Sequence, residues 1–376
     1  MAMDRIVKIE WGRLPGSRPR QAGCNARLGE HGQQVQVSIA RLTTQDGVTG
    51  LGRAWLTREQ AQELVGLSLA EAFDPPRIVR ERFFSLEYAL YDLAGQLARR
   101  PVYALLGGQP DSTGAYRVPC YDTSLYMDDL HLADDDLAAA LIASEAREGF
   151  ERGHRAFKIK VGRGALHMPL EAGTRRDIRI IGAVREAVGP QAQIMIDANN
   201  GYNVNLVKRV LAETVAARVY WIEEPFHEDA RLYAHLKEWL AAEGLSTLIA
   251  DGEGEASRSL LDWAQQGLVD VVQYDVFRPG FARWLEMGPQ LDGWGVRSAP
   301  HHYGEPFGNY AAGHLAAAVR RFEGVEWDEA TVPGLDASAY AISNGCVNVP
   351  NLPGWGLNLD EETYRRAVQE SGFAVE

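Results

Sequence analysis

The stretch 157-FKIKVG-162 sets Lys158 and Lys160 two apart in an apolar run. Side chains at that spacing in a strand share a face. Working outward from it, acidic and imidazole residues close later apolar runs: Asp197 in IMIDANN, Glu223 in YWIEEP, Glu253 in IADGEG, Asp275 in VQYDVF, His301 in SAPHHYG and Glu326 in GVEWDEA. The intervals are 26, 30, 22, 26 and 25 residues. Each is long enough for one strand, one helix and two loops. A (β/α)8 barrel produces this rhythm, because its site collects residues from the carboxyl ends of successive strands.

Texture divides the chain in three. Residues 1–117 open with strand-like runs, IVKIEW and QVQVSIARL, joined by the turn-rich LPGSRPRQAG and TTQDGVTGLG. A helix follows, in which Phe83, Leu86, Leu90, Leu93 and Leu97 recur every three or four residues until Pro101 stops it. Strands first and helices after describe an α+β unit. Over 118–330, FKIKV, AQIMID, VYWIEEP, TLIADGE and DVVQYD alternate with helical stretches at 174–187, 205–217, 229–242 and 257–266. Continuous apolar strands between helices are parallel strands buried on both faces. From 331 to 376, PGLDASAY and NVPNLPGWGLNLD return to turn-rich texture.

The residues at the strand ends suggest specific chemistry. Each ammonium of the Lys158–Lys160 pair disfavours the other's charge, and burial adds to this, so one lysine is expected to titrate nearer neutrality and act as a general base. Asp197, Glu223 and Glu253 offer carboxylates from three consecutive strands, hard oxygen donors suited to Mg²⁺. Any one of them alone reads as a helix-capping acid. Glu223 and Glu224 are adjacent, so only one faces inwards, and periodicity does not choose. His301 and His302 pose the same question; one of them can be a base oriented by Asp275. His154, His227, His235 and His314 read as structural. The glycine clusters GLG, GRG and GEG lack a nucleotide-loop pattern, and no Ser or Cys sits in a nucleophile elbow.

Composition narrows the class. A net charge of −13 argues against a general affinity for nucleic acid or anionic membrane. Hydrophobic content of 46% is ordinary for a globular protein. Cys24, Cys120 and Cys346 are scattered and form no CxxC, which fits a reducing cytosol. No apolar run approaches the roughly 18 residues of a membrane span, and MAMDRIVKIE lacks a signal peptide's apolar core. A cytoplasmic location is expected.

These residues together resemble the enolase superfamily, in its mandelate racemase-like branch. EYALYDLAGQLARRPVYALLGG is similar to the helical part of that family's capping domain. FKIKVG, VREAVGP, IMIDANNGY, YWIEEPF and ADGEG follow in the family's order, and NVPNLPGWGLNLD is similar to its C-terminal return to the cap. The resemblance implies a TIM-like (β/α)8-type barrel under a cap built from both ends of the chain. It implies Asp197, Glu223 and Glu253 as Mg²⁺ ligands, Lys160 as a base and Lys158 as its partner on the substrate carboxylate. It implies His301 as the opposite base with Asp275 behind it. Glu326, rather than Asp328, matches the strand-eight acid that bonds the enolate, and Asn199 a polar residue behind the ligands. His302 is kept as a substrate contact. One departure is Arg278, where the family often has lysine.

The chemistry so implied is Mg²⁺-dependent removal of a proton α to a carboxylate. The leading reading is dehydration of an acid sugar to a 2-keto-3-deoxy acid. A polar cap loop supports it, with Arg18 and Arg20 foremost and Asn25, Arg27 and His31 beside them. A racemase or epimerase is the alternative, because bases on two faces can also return the proton. A non-catalytic binding protein on the same scaffold is a third reading, which the intact set of bases and ligands counts against. The expected partners are a small-molecule carboxylate and further copies of the chain in a homo-oligomer, with no nucleic acid and no membrane.

Overall fold

In the computed structural model, which describes residues 5–74 and 78–376, the chain begins with an antiparallel meander of β1 (Ile6–Ala22), β2 (Gly32–Thr44) and β3 (Thr49–Arg53). Val35, Val37 and Ile39 are buried along β2 in alternation with exposed Gln34 and Gln36, the pattern of a half-buried strand, and Ile9 and Leu14 are buried on β1. Helix α1 (Glu87–Ala98) packs on β3. The approach is so close that a Cβ on Gly52 would stand 2.3 Å from the Ala89 backbone nitrogen, so glycine is required there. Phe83, Leu86, Leu90 and Leu93 are buried as the stripe predicts, whereas Leu97 is 38% exposed.

The barrel starts at β4 (Tyr116–Leu125). β5 (Ala156–Lys160), β6 (Gln193–Asp197), β7 (Val219–Glu223), β8 (Leu248–Asp251), β9 (Val271–Val272), β10 (Arg297–Ser298) and β11 (Val325–Trp327) follow in chain order. Neighbours are parallel; β11 pairs with β4, and a Ser298–Phe322 bridge closes the remaining gap. On the outside lie α2 (Asp135–Glu151), α3 (Leu170–Val188), α4 (Val204–Glu213), α5 (Ala230–Ala242), α6 (Leu260–Gln265), α7 (Phe281–Trp294) and α8 (Phe307–Leu315). Asp134, Asn203 and Asp229 accept backbone N–H bonds at the starts of α2, α4 and α5, so capping chemistry fixes where those helices begin. The helix expected over 205–217 is interrupted: α4 stops at Glu213, and a 3₁₀ turn takes Val215–Ala217.

The pleat explains how one strand serves both core and site. Tyr121, Met195, Trp221, Ala250, Val271 and Ala299 form an apolar plug inside the ring. Met195 and Trp221 stand two residues before Asp197 and Glu223, so plug and acids share the inward face. The outward Phe157, Ile159, Ile194, Ile196, Ile222 and Ile249 are 0% exposed against the helices. Both faces are thus covered, which is why these strands read as continuous apolar runs.

The tail touches the cap at Thr331, returns to the barrel, and then joins the cap again. β12 (Cys346–Val349) adds antiparallel to β4; α9 (Glu361–Ser371) then packs on β1, and β13 (Phe373–Val375) pairs with β1. Asp92 on α1 stitches the two ends, accepting the Leu51 N–H at 2.8 Å and the Trp355 N–H at 2.7 Å. The far end of the β1–β2 hairpin is clamped to barrel loops. Ser17 and Thr331 exchange two backbone bonds of 2.9 Å, and Met127 N–H donates to Cys24 O at 3.0 Å. Among the described residues, no helix is long and apolar enough to cross a membrane.

Candidate active site

The ends of β5, β6 and β7 converge above the plug. Lys158 Nζ donates to Glu223 Oε1 at 2.5 Å and Glu326 Oε1 at 2.8 Å, and lies 3.6 Å from Asp197 Oδ2. Lys160 Nζ donates to the same Asp197 oxygen. All five side chains are buried, which is tolerable only because they are paired. Burial by itself lowers the pKa of both lysines, but the surrounding carboxylates outweigh it and raise both above the ordinary value. The expectation that repulsion brings one lysine towards neutrality is therefore reversed in this arrangement. The lysines do repel, yet acids from other strands hold both charged.

Asp197, Glu223 and Glu253 each offer an oxygen such that the three lie within 4.8 Å of one another. Glu253 Oε2 is buried and makes no hydrogen bond among the described residues. Hard oxygen donors with an orphaned buried lone pair fit a divalent cation such as Mg²⁺. The Glu223/Glu224 question is answered by the backbone. Glu224 turns aside with a φ of 41°, and its carboxylate accepts Asn199 Nδ2 at 2.9 Å and Asn200 Nδ2 at 2.7 Å. Asn199 (φ 41°) and Asn200 (φ 60°) share this left-handed conformation; such outliers cluster at functional sites. Asn199 also donates to Glu253 Oε1 at 3.2 Å, so it stands behind the carboxylates.

Two residues escaped the sequence reading. Gln273 Nε2 and Trp221 Nε1 donate to Glu223 Oε2 at 2.8 and 3.2 Å and fix its orientation. Gln273 stands two positions before Asp275 in a buried run, and that spacing is the signal that could have found it.

His301 enters from β10, across the ring from β5. Its Nδ1 is 2.6 Å from Asp275 Oδ1, and its Nε2 is 3.2 Å from Glu253 Oε2 and 3.7 Å from Glu326 Oε2. Burial opposes the imidazolium, but Glu253, Glu326 and Asp275 together raise its pKa to about 10. His302 points elsewhere, with its ring against Gly308, where a Cβ would stand 2.3 Å from His302 Cγ. Burial pushes its pKa down to about 4. Its backbone N–H and that of Tyr303 donate to Glu326 Oε2 at 2.8 and 3.1 Å. Burial disfavours the Glu326 carboxylate, yet Lys158 and the histidines hold its pKa well below the usual range.

The cap supplies a roof. Arg18 Nη2 donates to Asp328 Oδ2 at 2.9 Å, and its guanidinium lies 4.4 Å from the centre of the Tyr303 ring. Asp328 is thereby engaged by Arg18, leaving Glu326 as the strand-eight acid among the lysine and histidine groups. Tyr303 stacks on Tyr126 at 4.9 Å, and Tyr126 faces Lys160 at 5.2 Å and His31 at 4.7 Å. Arg20 is not brought to the carboxylates. It donates to Ser124 O and Oγ at 3.1 and 2.8 Å and stands 3.5 to 3.9 Å from Glu148, Glu145 and Asp128. Asn25 and Arg27 line a cavity of about 490 Å³ with Asn199, Glu224 and Glu253.

Two other histidine clusters read differently. Asp122, His154 and Glu329 also offer atoms within 4.8 Å of one another. Arg152 stands 3.5 and 3.4 Å from those two acids and already supplies the cation. His314 is a satisfied core residue, accepting Tyr103 N–H at 2.9 Å and bonding Tyr340 Oη at 2.9 Å.

A three-carboxylate nest flanked by a lysine strand and a histidine–aspartate pair is the arrangement the sequence resemblance implied. Residues 141–363 match the enolase C-terminal domain-like family. The chain belongs to that family. Among solved structures, this family member is similar to the mandelate racemase/muconate lactonizing protein from Geobacillus sp. Y412MC10 complexed with magnesium and tartrate. The TM-score is 0.97 at 49% identity, covering 100% of this chain and 98% of that one. It is equally similar to a galacturonate dehydratase from Geobacillus sp. complexed with D-galacturonate and 5-keto-4-deoxy-D-galacturonate, with a TM-score of 0.95 and 49% identity over 100% of both chains. Among characterised proteins, D-xylonate dehydratase from Haloferax volcanii is 29% identical over 76% of this chain and 69% of its own. The family, the barrel and the cap read from the sequence are borne out.

Proposed function

We propose that the chain is a Mg²⁺-dependent acid-sugar dehydratase acting on a hexuronate of the D-galacturonate kind. The observation that carries this is the pair of bases, Lys160 and Asp275-supported His301, flanking the carboxylate nest. They occur in a chain 49% identical over its full length to a galacturonate dehydratase. In 5-keto-4-deoxy-D-galacturonate the ketone adjoins the carboxylate and the lost hydroxyl lies one carbon further. Counted from the acid end, that is the 2-keto-3-deoxy outcome expected from the sequence.

Asp197, Glu223 and Glu253 would hold Mg²⁺, which supplies positive charge against the substrate carboxylate and the enolate formed from it. Lys158, pinned between Glu223 and Glu326, keeps an ammonium beside the carboxylate. With Asp197, Glu223 and Glu253 all engaged as ligands, the carboxylates that raise the Lys160 pKa would be taken up, and burial and the Lys158 charge favour the neutral amine that a base needs. Lys160 takes the α-proton on one face, and the Lys158 ammonium, held in place by Glu326 at 2.8 Å, stands beside the enolate oxygen. His301, oriented by Asp275, delivers a proton to the departing β-hydroxyl, so water leaves and the enol becomes the ketone by protonation at the β-carbon. Bases on two faces also suit a racemase or epimerase, in which the second base returns the proton and no water is lost. The cytoplasm and a homo-oligomer complete this reading, the former supported by three free cysteines.

The test is incubation with Mg²⁺ and a panel of uronates, aldonates and aldarates, with keto-acid formation followed with and without EDTA. EDTA-sensitive keto acid from a uronate is expected. No keto acid from any member, with deuterium entering the α-carbon, would replace dehydration by racemisation.

A further inference from the structure

The two halves of the candidate site are built differently. Lys158, Lys160, Asp197, Glu223 and Glu326 stand on β5, β6, β7 and β11, inside the hydrogen-bonded ladder. Asp275 and His301 do not. β9 ends at Val272 and β10 at Ser298, so each of the pair lies three residues past its strand. Beyond those ends the two segments are joined by His301 N–H to Tyr274 O at 3.3 Å and Val276 N–H to His301 O at 2.9 Å. The 2.6 Å bond from His301 Nδ1 to Asp275 therefore rests on irregular backbone, which needs support from outside the ladder.

The cap supplies that support. At the start of α1, Tyr88 is buried among Phe277, Phe281, Phe307 and Trp355, with ring centres 5.2 to 6.2 Å away. Its hydroxyl donates to Val276 O at 2.6 Å. Val276 is thus gripped at both ends, its N–H on His301 and its C=O on Tyr88. The neighbouring Glu87 accepts the Phe281 and Ala282 N–H groups at 2.9 Å each, two of the free donors at the start of α7. Gly280, at a φ of 107°, leaves room for it: a Cβ there would stand 2.7 Å from Glu87 Oε1. From the first turn of α7, Trp284 Nε1 reaches back to Asp275 O at 3.3 Å. Two cap side chains thus hold both ends of the segment that presents Asp275.

We infer that Tyr88 and Glu87 are positioning residues for His301: the cap, through Val276 and α7, fixes the Asp275–His301 pair that serves the elimination step, while proton removal by Lys160 stands on barrel strands alone. This rests on the proposed function, and it gives the cap a part in the chemistry that is separate from contact with substrate. A misplaced acid slows the step it serves without weakening binding. The enolate formed by Lys160 then returns to substrate more often, taking its proton from an ammonium that exchanges with solvent.

The experiment compares the full chain with Tyr88→Phe, which keeps the ring and removes the hydroxyl, and Glu87→Gln, which keeps the shape and removes the charge. Each is incubated with Mg²⁺ and D-galacturonate in D₂O, and NMR reads keto acid and deuterium at C5 of recovered substrate. Each variant should form keto acid about tenfold more slowly, the worth of one buried hydrogen bond, with KM within about twofold. Deuterium recovered per keto acid formed should rise about tenfold as well. Loss of folded protein lowers exchange and elimination together. A lower rate at an unchanged ratio therefore overturns the inference, as do unchanged kinetics in both variants. A second measurement needs no substrate: the downfield proton resonance of His301 Nδ1–H, recognised by its loss in Asp275→Asn. It should broaden or move upfield in Tyr88→Phe, and a resonance identical to wild type overturns the inference. A wild type that forms no keto acid, while this resonance still responds to Tyr88→Phe, overturns the proposed function and leaves the positioning in place.

Discussion

Glu253 offers the cleanest perturbation of the metal nest. Asp197 and Glu223 are bonded to buried lysines, so neutralising either strands a buried charge at a cost of about 3–5 kcal/mol. Among the described residues, Glu253 faces no lysine at bonding distance; its cationic neighbour is His301, 3.2 Å from Oε2, which keeps Asp275 at 2.6 Å when Glu253 is neutralised. For a chain of 376 residues, the entropy of unfolding is about 0.8 kcal/mol per kelvin. Mg²⁺ at a hundred times its dissociation constant stabilises by about 2.7 kcal/mol, which raises the melting temperature by about 3 °C. Removing one unit of ligand charge costs about 4 kcal/mol at an effective dielectric of 20, so Glu253→Gln should bind Mg²⁺ at least about a hundredfold more weakly. At the same Mg²⁺ concentration its shift should shrink to about 0.5 °C or less. Burial and the Glu253 charge push the neighbouring Glu224 up to about 10; relief of that repulsion offsets the lost His301 contact, so the variant without metal should melt close to wild type. Differential scanning fluorimetry with and without Mg²⁺ reads both quantities. A full metal-induced shift in Glu253→Gln would refute the ligand assignment.

Other outcomes follow from the same geometry. Asp275→Asn removes a charge-assisted bond of 2.6 Å to His301 and should lower kcat by about 10- to 100-fold with KM little changed; steady-state kinetics within twofold of wild type would count against the pair. Asp92→Ala leaves the Leu51 and Trp355 N–H groups unpaired and should cost about 3 kcal/mol, or roughly 4 °C of melting temperature, without touching kcat. Burial lowers the pKa of His314 to about 3, so the folded state excludes a proton that the unfolded ring takes up near pH 6.5. The stability this gives is present above about pH 6.5 and is lost as pH falls, by roughly 2 kcal/mol at pH 5. His314→Leu should flatten the fall in melting temperature between pH 7 and 5, and an unchanged slope would show that this ring does not carry it.

The barrel was legible because burial on both faces makes its strands continuous apolar runs, and because strand ends carry the chemistry. Where strands are very short the pattern thins: DVVQYD gives only Val271–Val272 as ladder residues, and α7 runs through Pro289, which sequence rules read as a break. The lysine pKa shifts were not legible, since they depend on acids from β6, β7 and β11 that only folding brings near β5. Arg18 and Arg20 are two apart in β1, and both were expected among the cap residues that meet the substrate. The register with β2 shifts between Ser17 and Ala22, and with the regular pleat lost there, Arg18 reaches Asp328 while Arg20 turns to Glu145 and Glu148. Tyr303 had no periodic signal at all; its place in the roof comes from its contacts with Arg18 and Tyr126.

The central claim is Mg²⁺-dependent loss of water from a hexuronate. Proton NMR of D-galacturonate incubated with the protein and Mg²⁺ in D₂O tests it most directly. The account predicts 5-keto-4-deoxy-D-galacturonate as the product, with one deuterium at C4 from ketonisation and no conversion when EDTA is present. Recovery of a six-carbon uronate deuterated or inverted at C5, with no keto product, would contradict it.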